Sequence, residues 1–272
     1  MGATSWRERH PLLACDLAFA ITVLVVLVAT ALLPVIPQPQ AYHHFADRRR
    51  LVGIPNALDV LSNAGFAVVG LAGLRWARPA AFPDSRARPA WLVTFTAVAV
   101  TALGSAYYHL APDDFRLTWD RLPMSVGFMS IAAILVGERF GALAGRRLLP
   151  RLVLAGVASV VWWDHGVRHG GGNLFPYLVV QFGTMAALPL LLLGRRSAAA
   201  GPRAPFVAAL VLYVVAKVLE DHDRAVFDTL GVSGHTLKHL AAAAAIGVLA
   251  GEVWRRGRDP RAAAAPPRAG AW

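Results

Sequence analysis

Two pairs of polar residues interrupt stretches of this chain that are otherwise apolar for the length of a membrane crossing. Ser105 and His109 lie in TALGSAYYHL, and His235 and His239 lie in GHTLKHLAAAAAIGVLA. Each pair is spaced i, i+4, so each projects from one helical face, its members one turn and roughly 6 Å apart along the axis. Ionisable groups inside membrane helices are costly and by default mark function. Three imidazoles with the nearby carboxylate of Asp120 are the components of a catalytic zinc site, which takes three protein ligands and leaves a fourth position for water. Zinc brings the pKa of such a water to about 7. Asp120 follows His109 after a short loop, so it is placed to orient the attacking water and pass its proton to a leaving amine. Ser105, one turn below His109, is placed to donate its hydroxyl to a developing oxyanion or to the water.

The remaining polar and aromatic motifs read more plainly. His165 and His169 also have i, i+4 spacing, but Gly166 and the run Gly170-Gly171-Gly172 point to a loop there. His43 and His44 are adjacent and diverge on any regular helix. The pairs Tyr107-Tyr108 and Trp162-Trp163 read as anchors at a membrane interface. Ser233 and Gly234 read as the N-cap and turn that open the last helix.

The elements that must position these groups are helices. The chain has 272 residues, 56% of them hydrophobic, with a mean hydropathy of +0.50, values of a polytopic membrane protein. About 20 apolar residues cross a bilayer as a helix. Eight such stretches occur, at roughly 14–36, 56–77, 89–110, 119–138, 149–165, 176–194, 204–221 and 235–254. The expected fold is therefore all-α: a transmembrane bundle with a seven-helix core and one extra N-terminal span. The first apolar run is too long for a signal peptide and reads as a retained anchor. Residues 1–44 form an N-terminal segment, the additional span and a linker, 45–254 the core, and 255–272 a basic tail of Arg, Ala, Pro and Gly expected to be disordered.

Charge sets the orientation and excludes other classes. The formal net charge is +11, and nucleic-acid binding would be one reason for it. Here the arginines flank apolar spans, which points to membrane topology instead. Arg75, Arg78, Arg86 and Arg88 follow the second span, Arg139, Arg146, Arg147 and Arg151 the fourth, and Arg195, Arg196 and Arg203 the sixth; Arg255, Arg256, Arg258, Arg261 and Arg268 follow the last. The alternate loops are acidic or mixed, apart from Asp47-Arg48-Arg49-Arg50. The positive-inside rule then places both termini in the cytoplasm. The polar residues of spans two, three, four, seven and eight converge on the outer side. The single cysteine, Cys15, excludes an intrachain disulfide and a cysteine-rich metal site.

The sequence SAYYH, then the aspartate of WDRLPM, then HTLKH resembles the alkaline ceramidase family, part of a superfamily of seven-helix membrane hydrolases that includes the adiponectin and progestin receptors. Ser105, His109, Asp120, His235 and His239 match its pattern in order, and the similarity spans about residues 45–254. The resemblance implies zinc held by the three histidines, assisted by Asp120 and Ser105. It also implies hydrolysis of the amide of an N-acyl sphingoid lipid to fatty acid and sphingoid base. Eukaryotic members carry an acidic calcium site near the first core helix. The matching stretch here offers Asp47, Asn56 and Asp59, with Asn63 nearby, and has fewer carboxylates than calcium calls for. The Ala- and Arg-rich composition points to a bacterial inner membrane, with the site toward the periplasmic leaflet. The competing expectation is a receptor-like sensor that binds lipid on the same scaffold without turnover. A transporter would need ionisable residues in both halves of the bilayer, and Lys217 is the main one in the inner half.

Overall fold

The computed structural model describes residues 10–193, 197 and 200–258; among these the regular structure is helical, with no strand beyond an isolated bridge between Leu51 and Ile54. The helices are α1 (Pro11–Leu32), α2 (Ala57–Ser62), α3 (Ala64–Trp76), α4 (Arg88–Leu110), α5 (Asp114–Phe140), α6 (Ala142–Arg168), α7 (Phe175–Leu178), α8 (Thr184–Leu193), α9 (Ala204–Asp221), α10 (Asp223–Leu230) and α11 (Gly234–Arg256). Each of the eight apolar stretches is helical. Helices α2 and α3 form one span broken at Asn63, and α7 and α8 form another through a π-helical segment, Val179–Gly183.

Among the described residues six spans are long and apolar enough to cross a membrane: Leu12–Leu32, Ala57–Trp76, Ser85–Leu110, Asp114–Phe140, Phe175–Leu193 and Gly234–Arg256. That content is consistent with an integral membrane protein. The other two long helices carry more charge. Helix α6 contains Arg146, Arg147, Arg151, Asp164 and Arg168, and α9 ends with Lys217, Glu220 and Asp221.

The local signals explain the boundaries. The first helix stops at Leu32, ahead of Pro34, whose ring disfavours helical backbone in the residue before it. Helix α5 begins earlier than its apolar run because Asp113 caps it, accepting from the Arg116 N–H at 2.7 Å. The last helix continues to Arg256, so the first arginines of the expected tail are helical. Residues 259–272 and 1–9 lie outside the described part, as do Arg195 and Arg196.

Helix packing in an apolar surrounding depends on close backbone approach. Gly104 provides it between α4 and α5: a Cβ there would lie 2.2 Å from the Trp119 carbonyl oxygen. This contact brings Ser105 alongside Asp120. Gly234 does the same between α11 and α9, where a Cβ would lie 2.1 Å from the Leu219 carbonyl oxygen. Helix α1 stands apart. Its contacts are with α6 and α7, Cys15 packs by Ala144 and Leu148, and Asp16 pairs with Arg147 and Arg151 at 2.8 and 2.6 Å.

Candidate metal centre

His109 closes α4, and His235 and His239 occupy the first turns of α11. Each is fixed from its backbone outward. The Asn56 side chain donates to the His109 carbonyl at 2.8 Å, tying the end of α4 to the start of α2. Ser233 caps α11, accepting from Thr236 N–H at 2.9 Å, as the sequence predicts, and Asp223 accepts from His235 N–H at 3.0 Å. Two of the donors that a helix start leaves free are thus satisfied where the ligands begin.

The three rings face one another. Their centroids form a nearly equilateral triangle with sides of 4.8, 4.9 and 4.8 Å. His109 Nε2 and His235 Nε2 are 3.3 Å apart, and one ligand nitrogen from each ring lies within 4.8 Å of the others. Zinc–nitrogen bonds of about 2.0–2.1 Å in tetrahedral array would hold neighbouring nitrogens about 3.3–3.4 Å apart. The buried trio fits a metal ion.

The surroundings of His239 support that fit. Ser62 Oγ lies 3.0 Å from the Asp59 carbonyl, to which its one proton can go, and 2.8 Å from His239 Nδ1. The hydroxyl therefore accepts from Nδ1–H, which leaves the Nε2 lone pair for a metal, the second support that metal-bound histidines commonly have. His109 Nδ1, by contrast, is buried and has no partner among the described residues. Phe45 covers the outside, its ring centroid 4.6 Å from that of His109 and 4.4 Å from that of His235.

Asp120 and Ser105 are both buried, with Ser105 beside the Asp120 carboxyl. Asp120 Oδ1 has no other claim on it. A pairing of Asp120 with Arg121 is the alternative suggested by their adjacency. No such ion pair forms among the described residues: Arg121 Nη2 instead donates to Gln38 Oε1 at 2.6 Å. Glu220 binds Lys217, accepts from Lys238 Nζ at 2.7 Å and accepts from the Tyr42 hydroxyl at 3.1 Å. Lys238 Nζ is also 3.2 Å from His235 Nε2. Lys217 thus belongs to the same polar group as the histidines.

A cavity of about 310 Å³ opens beside these residues. Ser105, Asp120, Lys238 and His239 line one end, while Val98, Ile131, Leu188, Phe206 and Leu249 line the rest. From Lys238 to Leu249 it follows α11 for about 16 Å.

The three residues considered for calcium spend their polar atoms separately. Asp47 is paired with Arg49 at 2.6 Å, Asn56 holds the His109 carbonyl, and Asp59 Oδ1 accepts from Ser233 at 2.9 Å and Thr236 at 2.5 Å. Asp59 Oδ2 and Asn63 Oδ1 remain buried without partners. His165 lies in the last turn of α6 and His169 directly follows it, rather than in a loop, because the turn to the next span begins only at Gly170, φ +90°. The aromatic pairs split: Tyr107 and Trp162 are exposed, whereas Tyr108 and Trp163 are fully buried. His43 also turns inward, to Tyr108 and Asp114 at 2.9 and 3.1 Å.

The sequence reading did not assign Ser62, Phe45, Tyr42 or Lys238 to the site. Lys238 stood in plain view inside HTLKH; the others come from distant segments and carry no local signal. Compared with known proteins, the chain matches no family model, no curated protein and no solved structure.

Proposed function

We propose that the protein is a zinc-dependent membrane amidase that hydrolyses N-acyl sphingoid, ceramide-like lipids to a fatty acid and a sphingoid base, as its resemblance to alkaline ceramidases implies. The observation that carries this reading is the meeting of three imidazoles from two helices, one of which, His239, lines the polar end of a largely apolar cavity. A transmembrane bundle buries such groups at high cost unless they serve a purpose.

In this reading the acyl chain lies along Val98, Ile131 and Leu249, which brings its amide to Ser105 and Asp120. Zinc held by His109, His235 and His239 supplies a Lewis acid and makes water acidic enough to attack near neutral pH. Asp120 Oδ1, with no competing partner, takes the proton of the attacking water and returns it to the amine as the C–N bond breaks. Ser105, beside the Asp120 carboxyl, is placed to donate a hydrogen bond to that base or to the developing oxyanion. Phe45 and Tyr42 limit access of bulk water.

The same proposal includes α6 and α9 as spans, which completes a seven-helix core with α1 added at its edge. The histidine end of each helix is opposite the arginine-rich end, so the site opens toward the periplasmic leaflet of a bacterial inner membrane and both termini are cytoplasmic. The test is release of fatty acid from N-palmitoylsphingosine by the detergent-purified full chain with zinc chloride. Zinc-dependent release that disappears in His109→Ala is the expected result. Lipid binding without release, across several N-acyl lipids, would replace the enzyme with a lipid sensor.

A further inference from the structure

Arg121 is a buried cation with no ion-pair partner among the described residues. It is 6% exposed, and its Nη2 donates to a neutral amide, Gln38. Its guanidinium carbon lies 4.4 Å from the Trp163 ring centroid, 4.9 Å from that of Tyr177 and 5.8 Å from that of Tyr42. Aromatic faces attract a cation but provide no hydrogen-bond acceptor for its fork of donors. Nη1 is buried with no partner, and no carboxylate comes within ion-pair distance among the described residues. The other largely buried cation at this end, Lys238, is paired with Glu220. Burying an unpaired charge is expensive, and a guanidinium suits planar oxyanions.

Arg121 also lines the cavity, together with Asp120, Lys217, Lys238 and Glu220. Three cations there face two carboxylates, so the polar end is net positive before any metal is added. A ligand with a neutral headgroup leaves that excess and the unused donor unanswered. We infer that Arg121 is a specificity-determining residue that binds an oxyanion, carboxylate or phosphate, on the amine side of the N-acyl lipid. Among N-acyl lipids the site then favours those that carry an oxyanion on the amine side, an N-acyl sphingoid phosphate or an N-acyl amino acid, over neutral ceramide. This inference rests on the amidase reading for turnover but not for binding.

The experiment compares three lipids of one acyl chain, N-palmitoylglycine, N-palmitoyl-O-phosphoethanolamine and neutral N-palmitoylethanolamine, with the full-length, zinc-supplemented protein. The expected kcat/KM for at least one anionic lipid exceeds that for the neutral one by about tenfold, and the two anionic lipids separate carboxylate from phosphate. Arg121→Gln collapses that ratio, and Arg121→Lys, which keeps the charge but loses the fork, recovers part of it. Equal use of neutral and anionic lipids, or a uniform loss for all three in Arg121→Gln, overturns the inference. Thermal shifts with the same lipids separate the two claims. If nothing is cleaved, stabilisation by an anionic lipid that weakens in Arg121→Gln, or in Arg121→Lys should the former not fold, upholds the oxyanion site and removes the amidase. No preference for the anionic lipids in either readout sinks the inference alone.

Discussion

At the arginine-rich end of the bundle, Glu252 is 5% exposed and both of its oxygens accept hydrogen bonds: Arg255 donates to each at 2.9 Å and Arg256 at 2.8 Å. Glu138 accepts from Gly201 N–H at 2.7 Å and faces Arg256 at 3.6 Å. The buried atoms without a hydrogen bond at that end, Arg139 Nη1 and Arg256 Nη2, are guanidinium donors; at the histidine end an imidazole nitrogen and carboxylate oxygens are left open as well. His109 Nδ1, Asp120 Oδ1, Asp59 Oδ2 and Arg121 Nη1 have no partner among the described residues, and Asp120 and Arg121 line a cavity in place of a packed core. Glu252 is satisfied within its own helix, and Glu138 ties α5 to the end of α11 and to the Gly201 backbone. Polar atoms left open around a cavity are prepared for something that arrives from outside.

The comparison breaks first at Asp120. Asp120→Asn keeps the shape of the side chain but cannot take a proton, so turnover should fall by about 10²–10⁴-fold while bound zinc stays at the wild-type level. A loss of zinc as well would make Asp120 part of the metal's support. At the opposite end, Glu252→Gln should do the reverse. It removes a buried partner from two arginines, one of them half-exposed, and should cost about 2–3 kcal/mol of stability. Thermal unfolding reads this, and zinc content should not change. A fall in zinc affinity would show that the two ends are coupled.

Ser62→Ala sharpens the contrast within the histidine end itself. It takes the acceptor from His239 Nδ1 and should weaken zinc binding by about 10–100-fold, as measured by competition with a chelator. Equal affinity would mean that His239 is held by packing alone. The smallest effect belongs to the loop outside the spans. Hydrogen bonds from Arg49 hold the Asp47 carboxyl below the usual carboxylate range. A depressed pKa in the folded state stabilises above the unfolded value of about 3.9, and that contribution is lost as pH falls through the folded value. Because Arg49 is half-exposed, Asp47→Asn should remove no more than about 1 kcal/mol, seen as a shallower acid limb of the stability profile.

Much of this was legible in the sequence, for identifiable reasons. Eight helices follow from apolar runs of sufficient length, and the His235–His239 and Ser105–His109 pairs follow from a helical period that needs no tertiary information. Their meeting was expected from charge alternation, which places the ends of α4, α5 and α11 on one side. The interruptions were not legible. The break at Asn63 arises because its side chain donates to the Asp59 carbonyl at 2.7 Å, a competition decided locally in three dimensions. The π-helical segment has no mark in its sequence VVQFG. Phe45 and Ser62 reach the rings across gaps that no spacing rule spans. Trp163 reads as an interfacial anchor until Arg121 is seen lying over its ring.

The central claim is that His109, His235 and His239 hold one metal ion together. Its most direct measurement is the metal content of the full-length protein, purified in detergent and dialysed against zinc, beside the three single His→Ala variants. The account predicts close to one zinc per chain in the wild type and a large loss in each variant alike. A wild type without zinc, or a variant that keeps full occupancy, would contradict it.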